Sequence, residues 1–103
     1  MTVKVVNKYK EPNHIYCGRG TPVGNPFVMS DKSDKERDRV CDAYGEWFEK
    51  EISKKWSPIT DFVNNLVFSA IKGDINLGCF CAPKRCHCET IKSYIDKSLE
   101  ERQ

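Results

Sequence analysis

The stretch SPITDFVNNLVFSAIKGDINLGCFC, residues 57–81, decides how this chain folds. Ser57 can accept a backbone N–H as a helix N-cap, and Pro58 suits the first helical turn. Ile59, Phe62, Val63, Leu66, Val67, Ala70 and Ile71 recur at three- and four-residue spacing, which is one face of a helix. Gly73 stops that helix. Asp74–Cys81 then reads as a largely buried strand, with Gly78 allowing close approach. A helix that feeds directly into a buried strand is the return half of a crossover, so an earlier strand is expected beside it.

Two earlier strands are present in the pattern. Thr2–Asn7 alternates and is β-branched, and His14–Cys17 follows a polar segment that turns at Pro12-Asn13. Ser33 with Glu36 three residues on fits a capping box, and Val40, Cys41, Tyr44, Trp47, Phe48 and Ile52 mark the apolar face of the helix behind it. Lys54 and Lys55 stand at its carboxyl end, where cations complement the dipole. A last helix runs from about Cys88 to Glu100, with Ile91, Tyr94, Ile95, Ser98 and Leu99 inward. The expectation is one small α/β domain over residues 1–103, a short, mainly parallel sheet of three to four strands packed by three helices.

The 17 basic and 15 acidic residues are spread along the chain and leave a net charge of +2. That balance lacks the clustered basic footprint of a nucleic-acid binder. No run approaches the roughly 20 apolar residues needed to span a bilayer, and MTVKVVNKYK has no signal-peptide core. A cytoplasmic protein is expected. Six cysteines invite a disulfide reading, but four are crowded between Cys79 and Cys88, and a reducing cytosol keeps thiols free.

Two loops carry the unusual chemistry. GRGTPVGNPF, residues 18–27, holds three glycines and two prolines, so it is an ordered loop rather than a flexible one. CFCAPKRCHC, residues 79–88, holds four thiols and an imidazole. If the strands before them are parallel neighbours, both loops leave the sheet at its carboxyl edge, where open α/β sheets bind ligands. The last helix begins inside the second loop, so its free N–H groups would face the same place. Gly18, Arg19, Gly20, Pro22, Gly24, Asn25, Arg37, Lys84 and Arg85 are therefore the candidate ligand-binding residues, for a small anionic ligand such as a nucleotide or phosphorylated metabolite. Of Arg37 and Arg39, one would reach the loop edge.

Together the two motifs resemble the domain of unknown function 4326 family of small phage and bacterial proteins. The resemblance runs from about Tyr16 to Tyr94 and rests on Gly18, Arg19, Pro22, Gly24, Asn25, Pro26, Phe27, Cys79, Cys81, Pro83, Cys86 and His87. The chain departs from the pattern at Cys88, where the family usually has Gly. The resemblance brings no activity with it, and it implies the cytosol of a bacterial host if the protein is phage-encoded.

Three readings of the site stay open. Cys86 and His87 could form a nucleophile and base pair, because a helix start lowers a thiol pKa. Cys79, Cys81, Cys86, His87 and Cys88 could supply zinc ligands in a protein-interaction domain, although C-x-C and C-H-C are not the usual knuckle spacings. Or the thiols simply pack, as free cysteines usually do, with no cofactor required and no metal favoured. Cys17 and Cys41 read as packing residues and His14 as a strand or turn residue. A small phage inhibitor or adaptor acting through its surface, without catalysis, is the remaining alternative.

Overall fold

A computed structural model describes residues 2–18, 20–54, 57–79 and 84–101. Three strands, β1 (Val3–Asn7), β2 (Ile15–Tyr16) and β3 (Ile75–Cys79), form one sheet in the order β1-β3-β2. Both pairings are parallel, with Val3 beside Ile75, Asn7 beside Cys79, Ile15 beside Leu77 and Tyr16 beside Gly78. Three helices follow the expected order, α1 (Asp34–Ile52), α2 (Pro58–Lys72) and α3 (Cys88–Glu101). The α/β class and parallel sheet agree with the sequence reading. Arg19, Lys55, Trp56, Cys81 and Pro83, and the continuation of the third strand through Cys81, lie outside the described residues.

The caps form as their residue types dictate, with one difference. Ser33 accepts the Glu36 N–H at 3.2 Å and Ser57 accepts the Thr60 N–H at 3.2 Å. The Glu36 carboxylate, however, does not reach back to Ser33. It accepts from the Ser30 N–H at 3.0 Å and pairs with Arg39, which holds its pKa down at about 2. Val40, Cys41, Tyr44 and Phe48 of α1, five apolar residues of α2 and Ile91, Ile95 and Leu99 of α3 are buried. Ile71 lies at the flank of the α2 stripe and stays 39% exposed, so the stripe is narrower than its spacing implies. Among the described residues no helix is long and apolar enough to cross a membrane.

Strand alternation puts Val3, Leu77 and Cys79 on the helix-covered face, with Val5 and Ile75 packed against the same core. Gly78 points to the other face, which the segment between β1 and β2 crosses. Parallel strands usually need a connection of a dozen or more residues, and residues 8–14 are fewer. The shortcut works because β2 starts level with Leu77, so the chain returns only about 7 Å along the sheet. Asn76 Nδ2 donates to the Asn13 carbonyl at 2.9 Å and tacks the crossing down. His14 leaves the strand that its sequence suggested. Its Nδ1 lies 2.6 Å from the Glu11 carbonyl, and its ring covers Gly78.

A Cβ at residue 78 would overlap the His14 ring, with Cγ only 2.7 Å away. Gly78→Ala is therefore expected to cost about 1–3 kcal/mol in urea denaturation, the usual penalty for overpacking. His14→Ala in the same chain should recover most of that loss. Additive losses in the double variant would show that the clash is not with His14.

Candidate functional site

Parallel pairing sends β2 and β3 out of the sheet at one edge, and the two loops meet there. His87 Nε2 lies 2.6 Å from the carbonyl of Cys17, the residue after β2. A carbonyl only accepts, so Nε2 carries the proton and Nδ1 is left as the acceptor. Burial lowers the His87 pKa from its ordinary value, which favours this neutral form. The ring also packs 5.0 Å from the Tyr44 ring of α1.

The first loop is held from within and from below. Thr21 donates to the Gly18 carbonyl through both its N–H, at 3.2 Å, and its hydroxyl, at 2.7 Å, and the Gly24 N–H donates to the Thr21 carbonyl at 3.0 Å. Gly20 sits at φ 94°, the left-handed region that glycine tolerates. Val23, fully buried, is the residue that plugs the core, and its carbonyl accepts the buried Tyr44 hydroxyl at 2.7 Å. Asn25 accepts the Phe27 N–H at 2.9 Å and reaches the Val40 carbonyl through Nδ2 at 3.5 Å. The apolar–polar contrast of the loop did not mark Val23; only the position of α1 makes it the anchor.

Between the loops lies a cavity of about 110 Å³ lined by Gly18, Asn25, Phe27, Met29, Arg37, Val40, Cys41, Cys79, Arg85, Cys86 and His87. Gly18, Asn25, Arg37, Arg85, Cys86 and His87 thus come together as expected, while Gly20, Pro22, Gly24 and Lys84 do not line it. Arg37, not Arg39, is the arginine that reaches in. It lies one turn before Val40 and Cys41 and two turns before Tyr44 on the buried stripe, whereas Arg39 pairs outward with Glu36 and the Val28 carbonyl. Arg37 Nε is shut off from solvent with no hydrogen-bond partner among the described residues. Arg85 differs: Nη1 and Nη2 bond Asp38 at 3.1 Å and Asp42 at 2.7 Å, so it ties the second loop to α1. A wider groove of about 710 Å³ between α1 and α3 shares Cys41 and Arg85 with the cavity.

The start of α3 is more occupied than its sequence suggests. Cys88 N–H donates to Cys86 Sγ at 3.3 Å, Glu89 N–H to the Cys86 carbonyl at 3.1 Å and Thr90 N–H to the His87 carbonyl at 3.1 Å. These donors are not free for a ligand, because the loop folds back to cap its own helix. The thiols of Cys79, Cys86 and Cys88 lie within 4.8 Å of one another, all buried, a set that could hold a metal ion. The Cys86 thiol donates to Cys79 Sγ at 2.8 Å, and that contact pushes its pKa well up. The thiols of Cys17, Cys79 and Cys86 together with burial push the Cys88 pKa up as well. His87 Nε2 approaches Cys88 Sγ, at 3.9 Å, and no hydrogen bond joins it to Cys86 among the described residues.

Tyr44→Phe removes the hydroxyl that fastens the first loop and leaves the Val23 carbonyl buried without its partner. The expected loss is about 1–3 kcal/mol by chemical denaturation. An unchanged midpoint would mean the loop stands without that bond.

Residues 3–97 match the family described as domain of unknown function (DUF4326). An uncharacterized 12.4 kDa protein in the nrdA-td intergenic region of Enterobacteria phage T4 is 29% identical over 98 residues, covering 95% of this chain and 82% of the phage protein. No solved structure matches the chain significantly. The family match begins at β1 and ends within α3, so it takes in both loops and every element that positions them, and the chain belongs to the DUF4326 family.

Proposed function

We propose that this protein binds a small anionic ligand, a nucleotide-like or other phosphorylated metabolite, with its charged group in the cavity between the two loops. The observation that carries this reading is Arg37, which lines the cavity and whose Nε is a buried donor with no partner among the described residues. Buried donors are almost always satisfied, so an unpartnered guanidinium nitrogen beside a void calls for an acceptor. The volume has room for roughly three or four waters, which suits a phosphoryl or carboxylate group and excludes a purine. Any larger part of the ligand would extend past Arg85 into the α1–α3 groove, where Phe48, Ile52 and Tyr94 offer apolar walls and Asp42, Glu46 and Glu49 offer acceptors for hydroxyls. Asn25 and His87, which also line the cavity, orient the charged group. For turnover, His87 Nδ1 is the available proton acceptor and Cys86 the adjacent thiol.

A second reading is favoured by a separate observation, the mutual approach of three buried sulfurs. Zinc held by Cys79, Cys86 and Cys88 would fasten the end of β3 to the start of α3. Cys81, which the sequence adds to this set, lies outside the described residues.

Thermal-shift and calorimetric titration with inorganic phosphate and with nucleoside mono- and diphosphates tests the first reading. Nucleotides are expected to stabilise the chain and to bind more tightly than phosphate. Arg37→Ala should weaken binding about 10- to 150-fold, the value of a charge-assisted bond of 1.5–3 kcal/mol. Arg37→Lys should recover part of it. No stabilisation by any of these anions would overturn the proposal, as would equal affinity in wild type and Arg37→Ala.

A further inference from the structure

We infer that Cys17 completes a four-thiol zinc site with Cys79, Cys86 and Cys88, a closed site joining both loops to the sheet and α3. This inference rests on the three-thiol reading above and adds the fourth ligand, which comes from the other loop. Cys17 is fully buried and follows β2 directly, and its thiol donates to the Ile15 carbonyl at 3.5 Å. β2 pairs with β3, and the Cys17 N–H continues that ladder by donating to the Gly78 carbonyl at 3.1 Å. Cys17 and Cys79 are therefore held as neighbours on adjacent strands, one residue beyond the Tyr16–Gly78 pair.

Tetrahedral zinc with Zn–S bonds of about 2.3 Å sets its sulfurs about 3.8 Å apart. The sulfurs of Cys79, Cys86 and Cys88, within 4.8 Å of one another, need only small side-chain movements to reach that spacing; Cys17 Sγ is not within that distance of all three and needs a larger side-chain rotation from its place on the Ile15 carbonyl. The Cys88 N–H on Cys86 Sγ is an outer contact of the kind that supports a thiolate ligand, and it lies at the amino end of α3, where the dipole favours negative charge. A thiol that coordinates a divalent cation is deprotonated outright. Binding breaks four S–H bonds, forms four Zn–S bonds and releases the protons to solvent, with no change of oxidation state. Four protein ligands leave no open position, so the site is structural rather than catalytic.

Among the described residues, His87 is the competing fourth ligand. Its Nε2 lies 3.9 Å from Cys88 Sγ, but that nitrogen is committed to the Cys17 carbonyl at 2.6 Å. Three ligands in a row, residues 86–88, would also strain one helix start around a single ion.

The test uses the full chain purified without chelator. Elemental analysis is expected to give one zinc per chain. Cobalt substitution should give tetrahedral visible bands and a strong sulfur-to-cobalt charge-transfer band. Cys17→Ser should lower that band by about a quarter, shift the visible bands and weaken zinc at least about tenfold against a chromophoric chelator. His87→Ala should leave the cobalt spectrum unchanged. Should Cys17→Ser fail to fold, mass spectrometry of the wild-type chain after thiol alkylation, with and without chelator, serves instead: Cys17 should be protected only while zinc is bound. A wild-type spectrum and affinity in Cys17→Ser, or Cys17 alkylated as fast with zinc as without, overturns the fourth ligand and leaves the three-thiol reading standing. Metal-free wild-type protein, whether its thiols are all free or Cys79 and Cys86 are joined in a disulfide, overturns both.

Discussion

The hydrogen bond from His87 Nε2 to the Cys17 carbonyl, 2.6 Å long, is the constraint on which the candidate site depends. It joins segments 70 residues apart at the only sheet edge where both emerge. Cys17 is buried and His87 partly so, and breaking the bond leaves a donor and an acceptor with little water to replace it, at a cost near that of desolvating each. The bond also fixes which imidazole nitrogen faces outward. Around it, each loop has an independent anchor: Val23 and its Tyr44 bond for the first, and Arg85 on Asp38 and Asp42 for the second. A cavity walled by segments fastened in this way is formed before any ligand arrives, which lowers the entropic cost of binding.

Much of this follows from the economy of a three-stranded parallel sheet. One face is covered by helices, and β3, at the centre, is the strand whose carboxyl end both loops share. The opposite face has no helix to bury it, and the short crossing segment with His14 over Gly78 stands in its place. Gly78 therefore serves packing rather than chemistry. It is central because the crossing is too short to bridge the sheet at a greater height.

Those elements were readable wherever the information is local. The stripe and caps of α2 specify a helix from its own residues, and the run from Ile75 specifies a strand. The parallel order follows because nothing but a helical crossover separates β2 from β3. What could not be read depends on the phase of one element against another. Arg37 and Arg39 look alike in the chain, yet only Arg37 shares the phase of Val40, Cys41 and Tyr44. Arg85 reads as a free cation until α1 brings Asp38 and Asp42, one turn apart, alongside it. Cys17 reads as a lone packing residue because its neighbour Cys79 is distant in sequence and close only after β2 has paired with β3.

The two proposed occupants are not electrostatically independent. Cys79 and Cys86 are walls of the cavity that Arg37 lines and also members of the sulfur cluster. Zinc bound by four thiolates leaves two net negative charges, and unit charges at 4 Å interact by about 4 kcal/mol at an effective dielectric of 20. A loaded cluster would draw on the Arg37 guanidinium as its counter-charge and repel a dianionic phosphate monoester from the same volume. A singly charged group, such as a phosphodiester or a carboxylate, meets half of that repulsion while still satisfying the buried Nε. The charge of the preferred ligand therefore follows from the state of the sulfurs: with thiols protonated the cavity favours the dianion, and with zinc in place it favours the monoanion.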